Sequence, residues 1–417
     1  MLSRRFLLSA FLTLFILAPQ VKAQTGEQAR LFDQMMQRVE ERESDLIALR
    51  HDIHQHPELS NEEERTAGLV SRRLMDLGFE VRSGVGGHGV VGILKGSRPG
   101  PMVAFRADMD AVRSNAEDPV AYRSLIPGIR HICGHDVHTT IGVGLAEAFA
   151  AVREDLAGSV MLIFQPAEER GTGANAMLGE GAFDEEKPDA IFAVHTTPYP
   201  LGTLATVAGG MMAGRALLSV TLRGDQDLSD ALSTVRTAIE DVGTLAPHLA
   251  MQNAPEGFIL VQLAPGARSG PAGEGKVING QVMTAGYEDR ARAKATMLAR
   301  LDALELPGVT LETSYDERFM EGVNNDALLV EQSNVGIQTL NPEINIQEVQ
   351  GAVPAFSEDF GSFQVQVPGV MYFLGVSNPE TGTVGMPHSP DYVADDASIL
   401  IGTRTMMAAM LVQLTPE

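Results

Sequence analysis

Short apolar runs and amphipathic stretches alternate along most of the chain. Residues 27–50 carry the spacing of an amphipathic helix. "PELSNEEERTAGLVSRRLMDLGFEV" predicts another, with both ends marked. Ser60 and Glu63 form a capping-box pattern, Gly78 is a C-terminal stop, and Leu69, Leu74 and Leu77 make the apolar stripe. The runs "VVGIL" (90–94), "PMVAFRADMD" (101–110), "SVMLIFQ" (159–165) and "DAIFAVH" (189–195) read as strands, with helical stretches at 139–154 and 174–186 among them. Strands alternating with helices predict an α/β layered domain with a mostly parallel sheet.

The texture changes near Gly209. A strand "LLSVTLRG" is followed by a helix at 228–244, strands at 258–264 and 277–286, a helix at 289–304 and a strand at 309–316. That order predicts a smaller α+β domain inserted into the larger one. The expected division is a targeting segment at 1–23, the large domain at 24–212 and 321–417, and the insertion at 213–320. The Met-rich stripe in "ASILIGTRTMMAAMLVQL" (397–414) reads as core packing. "GVGGHG" (84–89) matches G-x-G-x-x-G, but "VVGIL" follows where a helix would have to open, so it reads as a hairpin turn. No Walker lysine motif or G-x-S-x-G elbow is present.

Charge and the N-terminus narrow the function classes. The formal net charge of −23, spread rather than blocked, describes a solvated surface that repels phosphate backbones, so nucleic acid is not an expected partner. Arg4 and Arg5, the apolar run from Phe6 to Ala18 and "VKA" before Gln24 form a signal-peptide pattern, by the secretory or the twin-arginine route. The expectation is an exported protein, periplasmic or secreted, with no membrane span in its mature chain. Its one cysteine, Cys133, cannot form an internal disulfide; a buried apolar thiol is its plainest reading.

The neighbours of Cys133 change that reading. Metal-type ligands stand at four places near the ends of apolar runs: Cys133 and His135 in "CGHD", Glu168 and Glu169 in "FQPAEE", His195 in "FAVH", and His388 in "MPHSPD". In open α/β sheets, sites form beyond the carboxyl ends of strands. Thiolate, imidazole and carboxylate suit Zn²⁺ and related ions. Metal-assisted hydrolysis also needs a base beside the ion, and adjacent glutamates can divide ligation from proton transfer. Asp108 and Asp110, after the strand "PMVAF", could orient a ligating histidine.

The arrangement resembles the metal-dependent amidohydrolases that include hippurate hydrolases and indole-3-acetic acid–amino acid hydrolases, within the aminoacylase and glutamate carboxypeptidase superfamily. The resemblance runs from about residue 46 to the C-terminus. "RHDIHQHPELS", "RPGPMVAFRADMDA", "HICGHDVHTT", "FQPAEERGTGANAML", "DAIFAVHTTPYPLGT", "SEDFGSF" and "MPHSPDYVADD" carry it. It implies a zinc-peptidase-like catalytic domain with a smaller α+β lid domain. It also implies two divalent ions (Zn, Mn or Co) held by Cys133, His135, Glu169, His195 and His388, with one ligand shared. Glu168 would be the general base that acts on metal-activated water, and Asp110 a supporting carboxylate. The expected substrate is a small N-acyl amino acid or peptide-like molecule, cleaved at its amide bond, and a homodimer is compatible with the resemblance. His138 is expected to support its loop, and His51, His54 and His56 to pack or cap near the first helices.

The inserted domain departs from the family pattern. The glycine–glycine–histidine segment expected after its first strand is absent, and His248 is the only histidine between 196 and 387. Lys276 and Glu288 stand near the family's asparagine and arginine positions, and Arg113 replaces a proline. Two readings follow: an amidohydrolase completed by another donor, such as Arg215 or Lys276, or a non-catalytic metal- or ligand-binding protein of the same fold. Retention of both Glu168 and Glu169 favours the enzyme, because binding alone would need Glu169 but no base.

Overall fold

A computed structural model describes residues 17–270 and 275–415. The targeting segment expected at 1–23 lies outside the described residues as far as position 16. The stretch 27–50 is divided between two helices, α1 (Leu17–Glu41) and α2 (Glu43–Gln55).

Helix α3 (Glu64–Asp76) ends as expected, with Gly78 in the left-handed region at φ 84 and its N–H donating to Met75 O. Its start corrects the capping-box reading. Glu58 caps it, its carboxylate accepting the N–H groups of Arg65 and Thr66 at 2.8 Å each. Ser60 donates instead to Asp110, and the Glu63 carboxylate accepts the N–H of Ala167. Partners 50 and 104 residues away have outcompeted the local cap.

Strands β1 (Glu80–Val85) and β2 (Gly89–Lys95) form the expected hairpin, its turn made by Gly86 (φ 67) and Gly87 (φ 99). There follow β3 (Arg98–Asp108), α4 (His135–Ala151), β4 (Ala157–Gln165), α5 (Gly173–Gly179), β5 (Ala190–Pro200) and β6 (Thr203–Thr206). The helix expected at 174–186 stops at Gly179, and Gly181 (φ 79) turns the chain. A second group comprises β7 (Gly214–Arg223), α6 (Ser229–Glu240), β8 (Ile259–Leu263), β9 (Lys276–Thr284), α7 (Tyr287–Asp302) and β10 (Thr310–Met320). The chain closes with α8 (Ala327–Leu340), β11 (Asn345–Glu348), α9 (Gly361–Gln364), β12 (Gly369–Ser377) and α10 (Ala397–Leu414).

Eight strands form one sheet in the order β1-β2-β4-β3-β5-β12-β6-β11. The central strands β4, β3, β5 and β12 are parallel, while β1–β2, β2–β4 and β12–β6 pair antiparallel. The central strands are buried on both faces, which is why they read as continuous apolar runs. Along β3, Val103, Phe105 and Ala107 join the core under α4 and α10, while Met102 and Ala104 join the core under α5 and α9. Met406, Met407 and Met410 of α10 are fully buried, so the Met-rich stripe is core.

The second sheet, β8-β9-β7-β10, is antiparallel. Leu218, Val220 and Leu222 of β7 pack with Val235 and Ile239 of α6 and with Ala293 and Met297 of α7 in a core of their own. The intervening β7 residues, beginning with Arg215, point to the opposite face. A short ribbon joins the two sheets, with Gly209 and Gly210 paired to Asn325 and Asn324.

Candidate metal centre

The chemistry gathers beyond the carboxyl ends of the central parallel strands. β3 delivers Asp108 and, two residues on, Asp110. β4 leads into a single turn, Glu168–Arg170, entered through Ala167 (φ 54) and left through Gly171 (φ 64). His195 lies inside β5, which runs on to Pro200, rather than closing the strand. Gly134 (φ 90) precedes His135, the first residue of α4. A Cβ there would stand 2.3 Å from Tyr392 Oη and 2.4 Å from Thr196 Oγ1, so only glycine fits. His388 is also left-handed (φ 60), and its N–H donates to Ile132 O at 2.7 Å, drawing the last loop against the cysteine segment. A non-glycine residue held in that region is strain, which collects at functional sites.

Among the described residues, five groups of ligand-type side chains have potential ligand atoms within 4.8 Å of one another. Two of them, Cys133–His135–His195 and Cys133–Glu169–His388, are built from the expected metal ligands; the others are Asp108–His135–His138, Asp110–His135–Glu168 and Asp108–Glu168–Glu358. Cys133 belongs to both of the first two. Its Sγ is 3.5 Å from His195 Nε2. His195 Nδ1 donates to Thr196 O at 2.9 Å, which leaves the Nε2 lone pair facing the thiol. His388 Nε2 is 3.3 Å from Glu169 Oε1. His135 Nδ1 pairs with Asp110 Oδ1 at 3.2 Å, while its buried Nε2 has no hydrogen-bond partner and sits 3.7 Å from Glu168 and 3.9 Å from Glu169.

Asp110 organises this region. Oδ1 accepts from His135 and the Glu168 N–H, and Oδ2 from Ser60 and the Glu169 N–H. His138 spends both ring nitrogens on its surroundings: Nε2 accepts the Thr196 N–H at 2.9 Å, so Nδ1 donates to Asp108 at 2.7 Å. It lies in the first turn of α4 and ties that helix to β3 and β5, rather than supporting a loop. His54 bridges Asp136 and Asp118, His51 stacks on Tyr122 and pairs with Asp396, and His56 bonds Asp52 O. His131 is buried with neither ring nitrogen bonded, and burial pushes it down to about 4.

The electrostatics of the pocket call for additional positive charge. Asp108, Glu168, Glu358 and Asp359 crowd together with one guanidinium, Arg106, which bonds Gln165, Asp108, Glu358 and Asp359. Burial, then Glu358 and Glu169, hold Glu168 well above the usual carboxylate range. Burial, then Asp110 and Asp108, raise Glu169 to about 7 against the pull of His135. Burial opposes charge on His135, yet Asp108, Asp110 and Glu169 raise it to about 10. The Cys133 thiol is pushed up by burial and by both glutamates, and His195 falls to about 3 through burial. Buried acids, an unpartnered imidazole nitrogen and a soft–borderline S, N, O donor set fit divalent cations of the zinc class.

Sequence reasoning found the residues of both groups and missed the Arg106 network. The signal was an arginine inside an otherwise apolar strand, matched by the paired acids of "SEDF". The insertion departures sort by position. Arg215 lines the same cleft as Cys133, Glu168, Glu169, His195 and His388. Lys276 pairs across from Leu222 and is exposed, seven strand positions from Arg215 or roughly 23 Å at 3.3 Å per residue. His248, Glu288 and Arg113 are exposed and do not line the cleft.

The model for peptidase family M20/M25/M40 matches residues 104–412. Thermostable carboxypeptidase 2 of Saccharolobus solfataricus is 29% identical over 391 residues, covering 89% of this chain and 96% of the relative. IAA-amino acid hydrolase ILR1-like 5 of Arabidopsis thaliana is 30% identical over 370 residues, covering 86% and 84%. A protein of methicillin-resistant Staphylococcus aureus superposes with a TM-score of 0.81 at 25% identity, covering 92% of this chain and 99% of the other. The Bacillus subtilis YXEP protein, a dinuclear metal binding peptidase, gives 0.70 at 24% identity, covering 89% and 98%.

Proposed function

The chain belongs to peptidase family M20/M25/M40, and from that premise we propose that it hydrolyses the amide bond of an N-acyl amino acid or small peptide-like substrate. The observation that carries this reading is the pair of ligand groups meeting at Cys133 with Glu168 beside them. Two divalent ions would be held by Cys133, His135 and His195, and by Cys133, Glu169 and His388. When bound, they supply Lewis-acid polarisation of the carbonyl and acidify water.

The chain's own residues supply the rest. Glu168 accepts a proton on a carboxylate oxygen as water adds to the amide carbon. It then delivers that proton to the nitrogen as the C–N bond breaks, releasing a carboxylic acid and an amine. Asp110 fixes His135 with Nδ1 protonated and Nε2 turned into the site. It also accepts the N–H groups of Glu168 and Glu169, so the two neighbours are positioned together. The basic, apolar start of the sequence supports export as part of the same proposal.

The test is a panel of N-acyl amino acids and dipeptides assayed with protein loaded with Zn²⁺, Mn²⁺ or Co²⁺, beside Glu168→Gln. General acid–base catalysis is worth about 10²- to 10⁴-fold. The variant should lose activity on that scale while binding the same amount of metal. Full activity in Glu168→Gln removes the assigned base. No turnover on any substrate, with two metals bound, removes the hydrolase reading in favour of a binding protein.

A further inference from the structure

The cleft has a volume of about 770 Å³, toward the upper end of the ~300–1,000 Å³ usual for small-molecule sites. Two features of its wall bear on what fills it. Among the described residues lining it, Arg215 is the only lysine or arginine. Its Nη2 donates to Ser357 Oγ at 3.2 Å, but its Nε is buried without a hydrogen-bond partner. Burial lowers its pKa, and Glu168 alone among the acids counters that. A desolvated guanidinium with open donors is a fork for a planar anion, and leaving it unfilled is costly.

The second feature is methionine. Met211, Met212, Met251, Met320 and Met386 line the same cleft. They come from the ribbon between the sheets, the α6–β8 connection, the end of β10 and the loop carrying His388. Met251 is 62% exposed, large for an apolar side chain with nothing to cover. Unbranched thioether chains have three rotatable bonds and suit flexible partners better than flat rigid ones.

Resting on the hydrolase reading above, we propose that the preferred substrate is an N-acyl amino acid with a long aliphatic acyl chain, its free carboxylate held by Arg215 and its chain by the methionine wall. Arg215 sits on β7 of the same polypeptide, so this chain provides its own carboxylate anchor. Hydrolysis then yields a long-chain carboxylic acid and a free amino acid.

Binding and turnover test it together. The metal-loaded protein is titrated calorimetrically with uncleavable ketomethylene analogues of N-decanoyl, N-benzoyl and N-acetyl amino acids, and with the decanoyl analogue carrying a carboxamide in place of the carboxylate. The same acyl series, together with the cleavable N-decanoyl substrate carrying a carboxamide in place of its carboxylate, is assayed for turnover. The decanoyl acid should bind at least tenfold more tightly than the acetyl and benzoyl acids and than its own carboxamide. Arg215→Gln should weaken the acids about 10- to 100-fold, chiefly in KM, and leave the carboxamide unchanged. Met251→Ala should weaken decanoyl binding several-fold and acetyl binding not at all. Equal affinity across the acyl series overturns the chain subsite. If Arg215→Gln lowers kcat equally for acids and carboxamides, the anchor is overturned in favour of a role at the reacting carbonyl. Tight decanoyl binding without turnover would count against the hydrolase reading alone; turnover of dipeptides with no decanoyl preference would count against this inference alone.

Discussion

At the scale of single residues, Asp110 is the point on which the centre depends, because one carboxylate accepts from His135, Ser60 and two backbone N–H groups. Asp110→Asn turns one acceptor into a donor facing those donors. Losing a partner that orients a metal-ligating histidine typically costs 10- to 100-fold in metal affinity, and the expected loss for Asp110→Asn lies in that range. Titration of the metal-free variant with Zn²⁺ or Mn²⁺ measures it, and wild-type affinity would show that His135 needs no such orientation. Cys133→Ser should lower metal content further, since Cys133 belongs to both ligand groups; unchanged occupancy would remove the thiol from the site. The ligand-type residues were legible because their chemistry is written in short local strings. That both ring nitrogens of His138 are taken was not legible, since Thr196 and Asp108 bond them from 58 and 30 residues away.

At the scale of elements, the strands were legible because double-sided burial makes them continuous apolar runs, and the glycine hairpin because its positive φ values restrict residue type. The start of α3 was not, because Ser60 and Glu63 are used by distant partners. The same long-range logic ties α2 to α4. His54 is buried between Asp136, in the first turn of α4, and Asp118. Burial opposes its charge, but the two acids prevail and its pKa is raised. A raised histidine stabilises the fold fully below its unfolded pKa of about 6.5, and the contribution fades as pH rises through the folded value. His54→Gln should therefore cost more stability at pH 5.5 than at pH 8.5. Urea midpoints of the two proteins at both pH values check the sign; an equal or larger cost at pH 8.5 would mean that His54 is neutral in the fold.

At the scale of the whole molecule, two sheets with separate cores meet at a cleft whose floor is buried acid. The insertion was legible as an α+β unit, yet the sequence offered Arg215 and Lys276 equally. Only the strand register separates them, placing one beside Glu168 and the other at the far end of β9. Acid crowding also sets how the fold should respond to metal. Without ions, Glu169 is held up at about 7 and Glu168 is raised as well, chiefly by burial. Carboxyls with raised folded pKa values stabilise the fold while protonated, below their ordinary value of about 4.3. They withdraw that stability as pH climbs through about 7. Bound divalent cations reverse the preference, because they favour the ionised ligands. The difference in Tm between metal-loaded and chelator-stripped protein should thus widen from pH 5.5 to pH 8. A ligand at 1,000 times its Kd adds about 4 kcal/mol, which is the scale expected near pH 8. Scanning calorimetry of both forms reads the difference directly. A gap that is constant or narrows with pH would mean that these carboxylates do not meet the ions, and the two ligand groups would have to be redrawn.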